Sequence, residues 1–207
     1  MTKIYSIQNA SYQIDTKKIV NDITCDIKEG ITVISGPNGA GKTTFLKLLF
    51  GIISPSSGTI ERYFNVHKTE MSFVFQEPVF LNRTVEDNLK HILYCKSINK
   101  KNWDKIINTS LTKYSLEHLL KLHIKNLSGG ELQLLSLIRS ILTRPKILFY
   151  DEPTNNLDHQ NIERVTQIIK ELQNQGSSLI MVSHNDIFHD DTLVNKLLIK
   201  RGAIQYE

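Results

Sequence analysis

The stretch Gly36-Pro37-Asn38-Gly39-Ala40-Gly41-Lys42-Thr43-Thr44 carries the plainest chemistry in the chain. Gly36, Gly41, Lys42 and Thr43 stand at the fixed positions of the pattern G-x-x-x-x-G-K-[ST]. The spacing has a physical basis. Glycines let the backbone curl so that successive N–H groups turn inward and form an anion nest. A helix opening at the loop offers its positive end to the same anion. The Lys42 ammonium can then reach the β- and γ-phosphates of a nucleoside triphosphate, and the Thr43 hydroxyl can ligate Mg²⁺. Residues 31–35 before the loop are β-prone, and residues 44–50 after it read as a helix with buried faces. That strand–loop–helix frame argues against a chance match in a glycine-rich turn.

Further residues could serve the same chemistry. Residues 146–152 form an apolar strand that ends in Asp151 and Glu152. Two acids at the C-terminal end of a buried strand suit Mg²⁺ binding and water activation beside a phosphate loop. Residues 178–183 are a second such strand, with His184 at its exit. Single histidines are mostly structural, but this one stands at a sheet edge where ligands bind. Ser128 is a good N-cap for the helical run 132–142, and Gly129-Gly130 would let a ligand approach the backbone. Its plainer reading is a capped helix start. Gln76 closes a strand over 71–75, and Asp158 opens a helix over about 159–174. Tyr12, near the end of the first strand, suits stacking on a base and edge packing equally.

These groups need elements to hold them. Residues 3–10 and 18–28 read as strands, the second alternating apolar and polar. Residues 59–63 and 71–75 are further strands. From Thr84 the texture turns helical, which marks an insert over about 84–143, and Trp103 in it is expected to pack. Residues 193–200 and 203–206 look like a closing hairpin around Arg201-Gly202. At 207 residues one compact domain is expected. The net charge of +4 is carried by scattered Lys and Arg, which argues for solvated surface rather than a nucleic-acid patch. Cys25 and Cys95 have no metal or redox spacing and suggest a reducing compartment. The N-terminus lacks a signal-peptide core, and no apolar run could span a bilayer.

The order of motifs resembles the ATP-binding cassette family of ATPases over essentially the whole chain. Residues 36–43 resemble its Walker A loop and Gln76 its glutamine loop. Leu127-Ser128-Gly129-Gly130-Glu131 resembles the family signature, with Glu131 where glutamine is commoner. Residues 147–151 resemble Walker B, with Glu152 at the place of the general base. Asn156-Leu157-Asp158 resembles the D-loop, and His184 the switch histidine. The family has an aromatic near Tyr12 stacked on adenine, which tips Tyr12 toward function. Gln133 and Arg139 match the helix after the signature. Leu134, Ile138 and Ser140 depart from it, which is expected to alter packing or docking without removing a catalytic group.

The resemblance implies an α/β fold: a RecA-like P-loop NTPase core, an N-terminal antiparallel β subdomain and an inserted α-helical subdomain, all in one nucleotide-binding domain over 1–207. Two copies would close head-to-tail as a homodimer. Each ATP would lie between residues 36–44 of one copy and Ser128, Gly129 and Gly130 of the other, with Tyr12 and Asp158 also at the nucleotide. Thr43, Gln76 and Asp151 would hold Mg²⁺. Glu152 would polarise the attacking water, His184 would hold the γ-phosphate, and Gln76 would sense a partner. The partners implied are membrane permease subunits and, through them, a periplasmic or surface solute-binding protein. No nucleic acid is expected, and the location would be the cytoplasmic face of the membrane. Residues 75–85 with Asn88-Leu89 resemble short import cassettes, most of all those for oxyanions such as tungstate. A lipid or lipoprotein exporter and a soluble non-transport ATPase are the alternatives. Ribosome-acting members usually carry two cassettes and DNA-acting ones a long coiled coil, and neither feature is read here. Val79, Phe80 and Leu81 are expected to form a docking surface for the permease or else to pack against the insert.

Overall fold

The centre of the protein is a stack of short strands made of Ile, Val, Leu, Met and aromatic residues. Such runs fit a parallel sheet buried on both faces. In the computed structural model, which describes residues 2–63, 70–153, 157–183 and 194–205, the order is β1 (Lys3–Ile14), β2 (Lys17–Lys28), β3 (Ile31–Ser35), α1 (Lys42–Phe50), β4 (Ser57–Arg62), β5 (Met71–Val74), α2 (Val85–Cys95), α3 (Trp103–Lys113), α4 (Gly129–Ile141), β6 (Ile147–Asp151), α5 (His159–Asn174), β7 (Ser178–Val182), β8 (Val194–Lys200) and β9 (Ala203–Gln205).

Among the described residues, six strands form the central sheet in the order β5-β6-β7-β3-β8-β9. Pairings are parallel from β5 to β8, and β9 closes the edge antiparallel to β8. Alternate residues of each strand serve opposite faces, as the pleat requires. On β6, Leu148 and Tyr150 join the core under the helical insert, α4 and α5, while Ile147 and Phe149 join the core under α1 and the N-terminal strands. Leu179 and Met181 of β7 divide from Ile180 and Val182 in the same way.

The second sheet is antiparallel, in the order β2-β1-β4. β1 runs on to Ile14, four residues beyond the strand read from the sequence. Pairing on both sides carries it: Ser11 faces Ser57 of β4 and Tyr12 faces Val20 of β2. The closing hairpin is β8–β9, and β8 also lies parallel to β3, which puts it beside the phosphate loop. The insert is built by α2 and α3, with Trp103 half-buried and its indole N–H donating to the Ile98 carbonyl at 2.9 Å. Among the described residues no helix is long and apolar enough to cross a membrane.

Candidate nucleotide site

The phosphate loop joins β3 to α1, and the fold allows little but glycine at two of its positions. Gly36 has φ 141°, and a Cβ there would lie 2.0 Å from the Ile199 carbonyl oxygen of β8. Gly41 has φ 97°, and its Cβ would lie 2.4 Å from the Ile19 carbonyl oxygen of β2. Neighbouring backbone therefore presses on both ends of the loop, and a side chain would push it open. The Lys42 ammonium folds back over the loop and donates to the carbonyls of Gly36 at 2.9 Å and Pro37 at 3.0 Å. Lys42 is only 5% exposed. Burial lowers its pKa, and the charges of Glu152 and Asp151 oppose that shift.

Next to the loop stands Asp151, the last residue of β6 and 2% exposed. The Thr43 hydroxyl donates to its Oδ1 at 3.0 Å. Burial raises the Asp151 pKa, the Thr43 hydrogen bond works against this, and the Glu152 charge adds to it. A buried lysine and a buried aspartate, each pushed toward neutrality, gain most from a ligand of opposite charge. The donor set fits Mg²⁺. Two hard oxygens side by side match an ion that takes one or two protein ligands and fills its shell with phosphate and water.

Glu152 is not the last residue of the strand. It follows β6 with φ 52°, a left-handed conformation that costs a non-glycine residue on the order of 1 kcal/mol. Its N–H is held by the Val182 carbonyl at 3.0 Å. This turn carries the carboxylate to Gln76, whose Nε2 donates to Glu152 Oε2 at 3.1 Å. Together Asn38, Gly39, Ala40, Gly41, Lys42, Thr43, Thr44, Gln76 and Glu152 line an open cleft of about 670 Å³.

Lys17 and Ile19 also line this cleft, and the reading of the residues did not find them. Nothing local marks them, because they arrive through tertiary pairing. Asn21 N–H donates to the Gly202 carbonyl, and Gly202 N–H donates to the Ala40 carbonyl, which draws β2 to the loop. Tyr12 is not among the lining residues. It is half-buried against the core of the N-terminal strands. His184 and Asn156 lie outside the described residues.

Ser128, Gly129 and Gly130 are likewise absent from the lining of this cleft. They open α4, which begins at Gly129, earlier than the apolar run suggested. A capping box outweighs the low helix propensity of two glycines. Ser128 Oγ accepts from the Glu131 N–H at 3.3 Å, and Glu131 Oε2 accepts from the Ser128 N–H at 2.8 Å and from its hydroxyl at 2.7 Å. Gly130 faces Asn161, the residue whose N–H caps onto Asp158 Oδ1 at 2.8 Å. The signature helix thus touches the start of α5.

Farther along α4, Leu134, Ile138 and Ser140 are buried, so the departures from the family pattern fall in the interior. Gln133 reaches the Tyr150 hydroxyl at 3.4 Å. Arg139 donates to the Val79 carbonyl at 2.7 Å and covers the Phe80 ring at 4.3 Å from its centre. The three apolar residues after Gln76 therefore divide. Phe80 packs against the core, whereas Val79 is 67% and Leu81 39% exposed. A groove of about 360 Å³ opens nearby between the sheet and the insert, with Phe73, Phe75, His91, Ile92 and Arg139 in its wall.

A phosphate loop at the C-terminal edge of a parallel sheet, with a buried aspartate against its threonine, defines a P-loop nucleotide triphosphatase. Comparison with known proteins narrows the class. The family model described as ABC transporter matches residues 20–155. The chain is 35% identical over 187 residues to the zinc import ATP-binding protein ZnuC of Wigglesworthia glossinidia brevipalpis, which covers 89% of this chain and 78% of the relative. It is 32% identical over 204 residues to the probable iron export ATP-binding protein FetA of Escherichia coli K12, covering 92% and 90%. The fold is similar to that of a dimeric post-hydrolysis ATP-binding cassette bound to ADP and Pi, with a TM-score of 0.84 at 22% identity over 98% of this chain and 97% of that one. The chain belongs to the ABC transporter family, as one of its ATPases.

Proposed function

We propose that this chain is the ATP-binding and ATP-hydrolysing subunit of a transporter, working as a head-to-tail homodimer on a separate membrane permease at the cytoplasmic face. The observation that carries this reading is the segment from Gln76 to Leu81. One end is hydrogen-bonded to the candidate base Glu152, the middle is clamped by Arg139 of α4, and Val79 and Leu81 are turned to solvent. One short loop therefore touches hydrolysis chemistry, the signature helix and an exposed apolar surface. Such a loop can report the state of the nucleotide to a partner.

In this mechanism the loop N–H groups and Lys42 take the β- and γ-phosphates. Thr43, Asp151 and Gln76 would hold Mg²⁺, which when bound neutralises phosphate charge. Glu152 accepts a proton from the water whose oxygen attacks the γ-phosphorus, while the bond to the β–γ bridging oxygen breaks. Ser128, Gly129 and Gly130 of the second copy meet the γ-phosphate, the serine through its hydroxyl and the glycine pair through its N–H groups at the α4 N-terminus. His184 would hold the γ-phosphate from its own side, and Asp158 would stand near the nucleotide at the dimer interface. We assign Tyr12 to the adenine, with Ile19 and Lys17 beside it.

Import is the direction we favour, on the resemblance of residues 75–89 to import cassettes. The substrate would bind the permease and a solute-binding protein. The oxyanion reading rests on that loop alone, since the relatives above are named for zinc and iron. The test is co-purification from membranes. Wild type is expected to bring down a membrane permease, and Val79→Asp to lose it while keeping its ATPase rate within about twofold, since surface changes rarely exceed ~0.5 kcal/mol. A wild-type chain that purifies with ribosomes or a soluble assembly complex instead would overturn the transporter reading.

A further inference from the structure

The Ser128 hydroxyl has one hydrogen, and that hydrogen is already committed. It is donated to Glu131 Oε2 at 2.7 Å, and the same oxygen accepts the Ser128 N–H at 2.8 Å. A carboxylate only accepts, so while Glu131 is ionised this hydroxyl cannot also donate to a phosphate. Both Ser128 contacts hold the carboxyl below the usual carboxylate range, which keeps it ionised near neutrality. His118 Nε2 stands 3.9 Å from Glu131 Oε1. The histidine is largely open to solvent and the glutamate partly so, which screens the pair and leaves the carboxylate most of its charge.

We propose that Glu131 is a positioning residue that holds the signature segment in an unclosed arrangement and weakens ATP-driven closure of the dimer. The proposal rests on the sandwich reading above and specifies its regulation. Two physical effects act together. To meet the γ-phosphate of the partner's ATP, Ser128 must release a charge-assisted hydrogen bond, one of the stronger bonds available to a hydroxyl. The carboxylate must also stay close to an arriving polyanion, a like-charge contact that water cannot fully screen once the interface closes. A glutamine at 131 relieves both. Its amide NH₂ can donate to Ser128 Oγ, which frees the hydroxyl hydrogen, and it brings no charge. The capping geometry is kept, because glutamine serves that position as well as glutamate.

The experiment compares Glu152→Gln with the double variant Glu152→Gln/Glu131→Gln, the first change being used to slow turnover and trap closed dimers. Dimerisation with MgATP is followed by analytical ultracentrifugation at two salt concentrations, and nucleotide binding to the monomer by fluorescence titration. The double variant is expected to dimerise more tightly, on the order of tenfold per site, with monomer affinity for ATP unchanged. Added salt should strengthen the glutamate form relative to the glutamine form, because it screens the repulsion. A merely structural role for Glu131 would move thermal stability but neither the dimerisation constant nor its salt response. Equal or weaker dimerisation of the double variant would overturn the proposal. If neither protein dimerises with MgATP, the sandwich reading falls, and the proposal falls with it. A dimer that is unaffected by Glu131 leaves that reading intact and removes only the proposal.

Discussion

At the scale of single residues, Lys42 shows how a site prepares for its ligand. Its ammonium is buried and held only by two carbonyls of its own loop, with no acidic partner close enough for an ion pair among the described residues. The lysine therefore has two duties, closing the loop and meeting phosphate. Lys42→Ala is expected to weaken MgATP binding by about 10- to 100-fold, the value of one or two charge-assisted hydrogen bonds. Fluorescence titration checks this, and affinity equal to wild type would show that the phosphates bind elsewhere.

At the scale of elements, Gly36 of the loop and Gly129 of the signature do opposite jobs. Gly36 is required by the fold, since β8 backbone would sit 2.0 Å from any Cβ there. Gly129 meets nothing within 4 Å and lies at the start of a regular helix. Gly36→Ala should therefore destabilise the protein by about 2 kcal/mol or more, through strain and a backbone clash. Gly129→Ala should keep or raise stability by a few tenths of a kcal/mol, because alanine is the better helix former. The same change should weaken ATP-driven dimerisation. Thermal melts of both variants decide the matter. A large loss of stability in Gly129→Ala would mean that this glycine serves its own fold rather than a partner.

At the scale of the whole molecule, the two faces of the central sheet bury groups that resist ionisation. Tyr5 and Cys25 are pushed up to about 12 by burial, from ordinary values of 10.0 and 9.0, and Tyr150 is raised as well. Each keeps its proton longer folded than unfolded. Their stabilisation is complete below pH 9 and is lost as pH climbs from there through about 12. The urea midpoint is expected to be flat from pH 7 to 9 and to fall between pH 9 and 11. Tyr150→Phe should make that fall shallower. A midpoint constant through pH 11 would show that these groups are free to ionise in the folded protein.

How far the sequence alone reached depended on whether the information was local. The phosphate loop, the N-caps Ser128 and Asp158, the buried strands read over 146–152 and 178–183 and the helix from about 159 to 174 were all readable from neighbours in the chain. Spacing, caps and apolar runs act within a few residues. Other features came only from residues distant in sequence. The extension of β1 to Ile14 needed partners on β2 and β4. Lys17 and Ile19 reached the cleft because β2 is stitched to Gly202, and Gly202 to the phosphate loop. Phe80 separated from Val79 and Leu81 because Arg139, sixty residues away, claims its ring and the Val79 carbonyl. The sequence determined which groups can do chemistry, since that is a property of residue type and spacing. The tertiary structure decided which of them share a cleft and which face a partner, since that depends on backbone pairings and buried contacts that no stretch of the chain contains by itself.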